Sequence, residues 1–191
     1  MKKNSWIVLM VCLSMVFAGA ALAEMYMGVK AGYSQVGDTD VTLSGHKVGD
    51  IEFDSGWVTG IALGTTIDAF RVEGEFEYRN NDGELEIPGF GKDDGSLDTM
   101  SLLFNGYYDF QTDLGFTPYI GAGIGLARHD DDDVDDTVFA YQGTIGFALP
   151  ISDVMDFDAA YRYFATEDPD FDGVEIDYDS HNITLGLRFK F

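Results

Sequence analysis

Between Phe70 and Arg79 the chain swaps an apolar residue for a polar one at every step. Successive side chains on a β-strand point to opposite faces. Phe70, Val72, Gly74, Phe76 and Tyr78 therefore share one face, and Arg71, Glu73, Glu75, Glu77 and Arg79 share the other. No amphipathic helix fits this period of two. The carboxyl end repeats it, with Ile183, Leu185, Leu187, Phe189 and Phe191 against Asn182, Thr184, Gly186, Arg188 and Lys190. A chain so patterned folds as antiparallel sheet with one apolar and one ionic face.

Eight such segments are legible, at 25–35, 56–67, 70–80, 97–110, 117–128, 137–149, 155–166 and 180–191. Each reaches the length of about 9–11 tilted residues with which a strand crosses a bilayer. Their connections alternate in kind. Asp68-Ala69, Gln111 to Phe116 and Pro150 to Val154 are short, whereas 36–55, 81–96, 129–136 and 167–179 are longer and acidic. Short turns on one side and long loops on the other is the layout of an outer-membrane barrel, with the short side periplasmic. Ahead of the strands, Lys2 and Lys3 precede an apolar run from Trp6 to Leu22 that closes on Ala21-Leu22-Ala23. This is the pattern of a cleaved export signal over residues 1–23, leaving 24–191 as the barrel domain. A retained anchor fits less well, since no charged stop-transfer flank follows, and a lipid anchor on Cys12 lacks the small residue that should precede it. Cleavage removes that cysteine, the only one in the chain, and with Lys2 and Lys3 moves the formal charge from −23 to −25. Such an excess excludes nucleic acid and anionic surfaces as direct partners and favours cations.

A soluble carrier barrel also alternates, with its apolar face inward. Two features favour the opposite orientation. With neighbouring strands antiparallel, Tyr33, Trp57, Tyr78, Phe139, Tyr141 and Tyr163 collect near the loop end of the apolar face, and Phe70, Phe110, Phe147, Phe157, Phe189 and Phe191 near the turn end. Two aromatic rings around an aliphatic band match the girdles at membrane–water interfaces. Glycines (Gly28, Gly32, Gly60, Gly64, Gly121, Gly123, Gly125, Gly146 and Gly186) crowd the polar face, as a narrow interior demands. The expected fold is an all-β, eight-stranded, antiparallel up-and-down transmembrane β-barrel.

The expected lumen then holds Lys30, Arg71, Arg79, Arg162, Arg188 and Lys190 against Glu73, Glu75, Glu77, Asp109, Asp156 and Asp158, with Tyr26, Asn105, Tyr107 and Gln142 among them. Six charges of each sign balance inside a chain that is otherwise strongly acidic. Eight strands enclose only enough space for their own side chains, so the expectation is a paired structural network. The alternative is a narrow cation-selective pore lined by the three stacked glutamates.

Several stretches carry a family likeness: Met25 to Gln35, Asn105 to Phe110, Pro118 to Gly125, Tyr161 to Phe164 and Gly186 to Phe191. In this order they resemble the OmpA-like and opacity-type outer-membrane surface-antigen barrels. The resemblance implies a bacterial outer-membrane protein that serves as adhesin, envelope-stabilising protein or small pore, without a shared active site. It also implies recognition of the terminal Phe191 by the barrel-assembly machinery. A peptidoglycan-binding domain of the OmpA kind is not expected beside the barrel, and the role it serves is not expected either.

Activity is therefore expected in the loops. Residues 129–136 hold six aspartates, for which a solvated, self-repelling loop is the simplest account. Asp168, Asp170, Asp172 and Asp179, with Gly173, follow the 1, 3, 5, 12 and 6 spacing of a calcium loop, though Asp179 replaces the usual glutamate and the flanks are strands. Hard cations held there could bridge to lipopolysaccharide or a host-cell ligand; no other cofactor is expected. Catalysis is not expected either, because the one suggestive trio, Asp179-Ser180-His181, puts neighbours on opposite faces.

Overall fold

The computed structural model describes residues 24–37, 39–43, 46–53, 55–87, 91–131, 134–167, 170–171, 174–175 and 178–191, with side chains for 24–37, 55–81, 98–128, 137–167 and 178–191. The expected export signal, residues 1–23, lies outside the described residues. Twelve strands follow in chain order: β1 Glu24–Val36, β2 Thr39–Leu43, β3 His46–Phe53, β4 Ser55–Ile67, β5 Phe70–Ile87, β6 Gly91–Asp109, β7 Thr117–Asp131, β8 Val134–Ser152, β9 Met155–Thr166, β10 Asp170–Phe171, β11 Val174–Glu175 and β12 Asp179–Lys190.

Eight of them form a closed antiparallel ring in the order β1-β4-β5-β6-β7-β8-β9-β12, with β12 pairing back onto β1. Closure gives every spanning backbone group a partner, which hydrocarbon requires. The carboxyl end is fastened at the turn end, where the Phe191 N–H donates to the Met25 carbonyl at 2.9 Å. The tightest turn, Asp68-Ala69, holds Asp68 at φ 54°, a left-handed conformation that a short polar side chain tolerates.

The spanning strands match the expected segments, but the outer connections do not end where the sequence suggested. β5 and β6 run on as one paired ladder to Ile87↔Gly91. Within 36–55 the chain makes the β2–β3 hairpin, and β3 pairs with the upper part of β5 from Asp50↔Glu86 to Phe53↔Gly83. β11 adds to β2, and β10 to β11. The loop side thus carries a sheet in the order β10-β11-β2-β3-β5-β6, continuous with the barrel wall. Glycine and aspartate are poor strand formers and disguised it in the sequence; tertiary pairing overrides that preference.

Orientation follows from exposure. Ile61, Leu63, Leu102, Ile120, Ile124, Leu126, Ile145, Ile183 and Leu185 are each at least half exposed, while Glu75, Glu77 and Arg79 are buried. In water this arrangement would be inside out. In a bilayer the exposed aliphatic band meets lipid, flanked by Tyr33, Trp57, Phe139 and Tyr141 at the loop end and Phe70, Phe110, Phe147 and Phe191 at the turn end.

Candidate functional site

The lumen has three storeys. At the turn end, Lys190 donates to Asp156 at 2.9 Å, Arg188 to Asp158 at 2.5 Å and Arg71 Nε to Asp109 at 2.7 Å. Tyr119 Oη donates to the other Asp158 oxygen at 2.6 Å. The Arg71 guanidinium also lies 4.5 Å from the Tyr107 ring centroid and 4.7 Å from that of Tyr119, within cation–π range.

The middle storey is built on the three glutamates of β5. Glu73 accepts from Tyr26 and Tyr107, both at 2.8 Å. Glu75 accepts from Asn105 at 2.8 Å and from Arg162 Nη1 at 2.9 and 3.0 Å, and it is paired with Lys30. Glu77 meets Lys30 at 2.7 Å, Arg162 at 3.3 Å and Arg79 beside it. β5 and β9 lie four strands apart in a ring of eight. The Arg162–Glu75 pair is therefore a brace across the full diameter. Gln142 extends the layer by donating to Asn105 Oδ1 at 2.7 Å. The alternation on β5 makes this possible, since it stacks three carboxylates on the inner face at two-residue intervals. Gly60 and Gly64 on β4 make room for them: a Cβ on Gly60 would sit 2.9 Å from both Glu77 Cγ and Lys30 Cε.

The loop-end storey departs from the all-ionic interior expected from sequence. Val36, Leu103, Ala127, Val138, Ala140, Phe164 and Tyr178 form a buried apolar cluster there. Phe164 and Tyr178 meet edge to face at 6.2 Å, and the fully buried Arg79 guanidinium sits 3.7 Å from the Phe164 centroid. Buried polar side chains share this level with the cluster, Asn81 donating to Ser34 Oγ at 3.3 Å and Asn182 to Ser180 Oγ at 3.1 Å. The signal lay in adjacent apolar pairs that break the alternation: Leu102-Leu103, Phe139-Ala140 and Phe164-Ala165. Of each pair, one residue must face inward. Tyr119, a second inward residue that the pattern left unassigned, follows the same alternation from Gly121.

Below the brace, Tyr26, Lys30, Glu73, Tyr119, Asp158 and Arg188 border a cavity of about 40 Å³, room for more than one water. The lumen charges differ in accessibility, and Arg71 is buried even at the turn end. The Lys190 side chain is 22% exposed and that of Asp158 18%, whereas Glu75, Glu77 and Arg79 are sealed.

Residues 6–191 match the family model for the outer membrane protein beta-barrel domain. The chain belongs to this family. It is similar to the outer membrane protein PagN of Salmonella typhimurium, 27% identical over 76% of this chain and 70% of PagN. Among solved structures, Neisserial surface protein A (NspA) superposes with a TM-score of 0.67 at 22% identity, covering 88% of this chain and 99% of that one. OprG of Pseudomonas aeruginosa does so with a TM-score of 0.61 at 16% identity, covering 87% and 95%. The protein is thus an eight-stranded barrel of the Gram-negative outer membrane, set in lipid.

Asp168 and Asp172 lie outside the described residues, as does the Asp170 side chain; the backbone puts Asp170 opposite Glu175 in the β10–β11 hairpin. Asp179 is described and faces His181, with 3.8 Å between Oδ2 and Nε2. No cluster of three metal-ligating side chains occurs among the described residues. Ser180 is buried in the lumen while His181 points outward, where its Nδ1 lies 2.6 Å from Tyr161 Oη and its ring packs against Tyr163. The two cannot share a reacting atom.

Proposed function

We propose that this barrel is a non-enzymatic platform of the outer envelope. It presents its acidic outer face to cations and, through them, to lipopolysaccharide or a cell-surface ligand, and it does not conduct. One observation carries this reading: the lumen is braced across its diameter by Arg162 and Glu75 and capped by Phe164, so the groups free to meet a partner lie outside the membrane. Hard divalent cations prefer oxygen ligands, and the carboxylate surplus of the chain sits in the outer connections. Residues 1–23 act as the cleaved export signal and Phe191 as the handle for the barrel-assembly machinery.

Binding of folded protein to lipopolysaccharide and to cells, with and without Ca²⁺, tests the reading. It should fall with chelator and with joint Asp168→Asn, Asp170→Asn, Asp172→Asn and Asp179→Asn substitution; binding indifferent to both overturns the cation bridge. Planar-bilayer recordings address the rival reading. Silent bilayers support the platform, whereas stepwise cation currents abolished by Glu73→Gln, Glu75→Gln and Glu77→Gln establish the narrow pore. His181→Ala should leave the membrane lipid profile unchanged; lost acyl turnover would sink the non-enzymatic assignment.

A further inference from the structure

The outer sheet has two ends, and they are not alike. At one end β10 and β11 are two residues long each and cover only Thr42 and Leu43 of β2, so the edge is stepped and broken into pieces of two or three residues. At the other, β6 pairs with β5 along Gly91–Leu97, while β7 joins β6 only from Asp98↔Asp130 downward. Among the described residues no strand pairs with the second side of Gly91–Leu97. This run, Gly-Lys-Asp-Asp-Gly-Ser-Leu, extends about 24 Å at 3.4 Å per residue. Natural proteins blunt such edges with proline, charged side chains (lysine above all), bulges or very short strands. Here there is no proline, and the charges are Lys92 with Asp93 and Asp94, a net negative set that deters a neutral or acidic strand and not a basic one.

We propose that Gly91–Leu97 of β6 is a docking edge for an extended, Lys/Arg-rich polypeptide segment, which joins the outer sheet as a further strand. The inference rests on the surface-interaction reading above and names its partner class. Every second residue of an edge strand turns its N–H and C=O away from its existing neighbour, and an added strand satisfies them. Charge selects the occupant. The β5–β6 hairpin carries Asp82, Glu84, Glu86, Asp93, Asp94 and Asp98 against Lys92. The next hairpin round the ring, β7–β8, carries Asp130 and Asp131 on one strand and Asp135 and Asp136 on the other. A basic strand entering beside β6 lies in the field of two hairpins of net negative charge; a second copy of this chain carries like charge and is repelled. Glycine and aspartate also hold a one-sided strand weakly, so pairing on the second side orders the run.

The test uses the folded barrel in neutral-lipid nanodiscs and three decapeptides: alternating Lys and Val, alternating Glu and Val, and the Lys/Val peptide N-methylated at every peptide bond. The Lys/Val peptide should bind, slow amide hydrogen exchange across 91–97, and weaken as salt rises. The Glu/Val and N-methylated peptides should bind at least tenfold more weakly, and so should the Lys/Val peptide to protein carrying Asp93→Asn and Asp94→Asn. Equal binding of the N-methylated peptide reduces the contact to charge alone and overturns the edge. Protection elsewhere than 91–97, or no binding of the Lys/Val peptide, overturns it too. Chelator-sensitive binding to lipopolysaccharide or cells is read separately, so the platform can stand while the edge falls.

Discussion

Arg162 and the lumen glycines concentrate the consequences of single residues. Arg162 reaches across the barrel to two glutamates, and removing one member of a buried ion pair leaves the others uncompensated at a cost of about 3–5 kcal/mol. Arg162→Ala should destabilise the barrel by about that amount. The joint Arg162→Met, Glu75→Gln change should cost less than Arg162→Ala, because it removes charges of both signs together. Urea titration of vesicle-inserted protein measures both, with Trp57, the one tryptophan beyond residue 23, as reporter. The glycines divide by face. A Cβ on Gly64 would lie 2.5 Å from Tyr26 Oη and 2.8 Å from Glu73 Cβ, whereas one on Gly74 meets nothing within 4 Å. Gly64→Ala should therefore disturb the Tyr26–Glu73 contact and destabilise. Gly74→Ala should be neutral or stabilise by about 0.5–1 kcal/mol, since it only restricts the unfolded chain and adds apolar surface toward lipid. The same titration separates them, and equal effects would contradict the assignment of faces.

Strand by strand, inner faces change character along their length. β5 is ionic from Arg71 to Arg79; β8 turns apolar at Ala140 and Val138, while β6 and β9 contribute single apolar residues, Leu103 and Phe164, with buried Ser101, Thr99 and Thr166 beyond them. The plug is thus contributed by several strands, each giving one or two residues. Phe164→Ala should cost about 3–5 kcal/mol through the cavity it leaves, and it uncovers Arg79 from its ring. If the plug is the outer seal, this variant should leak ions in planar bilayers where the parent is silent; two silent proteins would move the seal to the Arg162–Glu75 brace. The outer hairpins follow a different logic. β3 reaches β5 only after 36–55 has folded back as a hairpin, and no local pattern in this Asp- and Gly-rich stretch announces such a partner.

For the whole molecule, the apolar belt sets the membrane. On β4 it runs from Trp57 to Ile67, ten steps that at a tilt near 40° rise about 26 Å. Stability against urea should peak in bilayers with a hydrocarbon core of about 25 Å and decline as longer acyl chains thicken it; a monotonic rise with chain length would contradict the belt's limits. The strand count, the closed antiparallel order, the outward apolar face and the balanced inner charge were all legible in the chain. A period of two is local, and a bilayer leaves only one way to face it. The connection lengths likewise gave the alternation of turns and loops. What only the tertiary structure decided is which inward charges meet, that an apolar cluster packs above them, and that the acidic connections pair into an outer sheet in which Gly91–Leu97 has no second partner among the described residues. Those features depend on the stagger of strands round a ring and on contacts between distant segments, such as Arg162 with Glu75 and Val174 with Leu43, separations over which side-chain alternation carries no information.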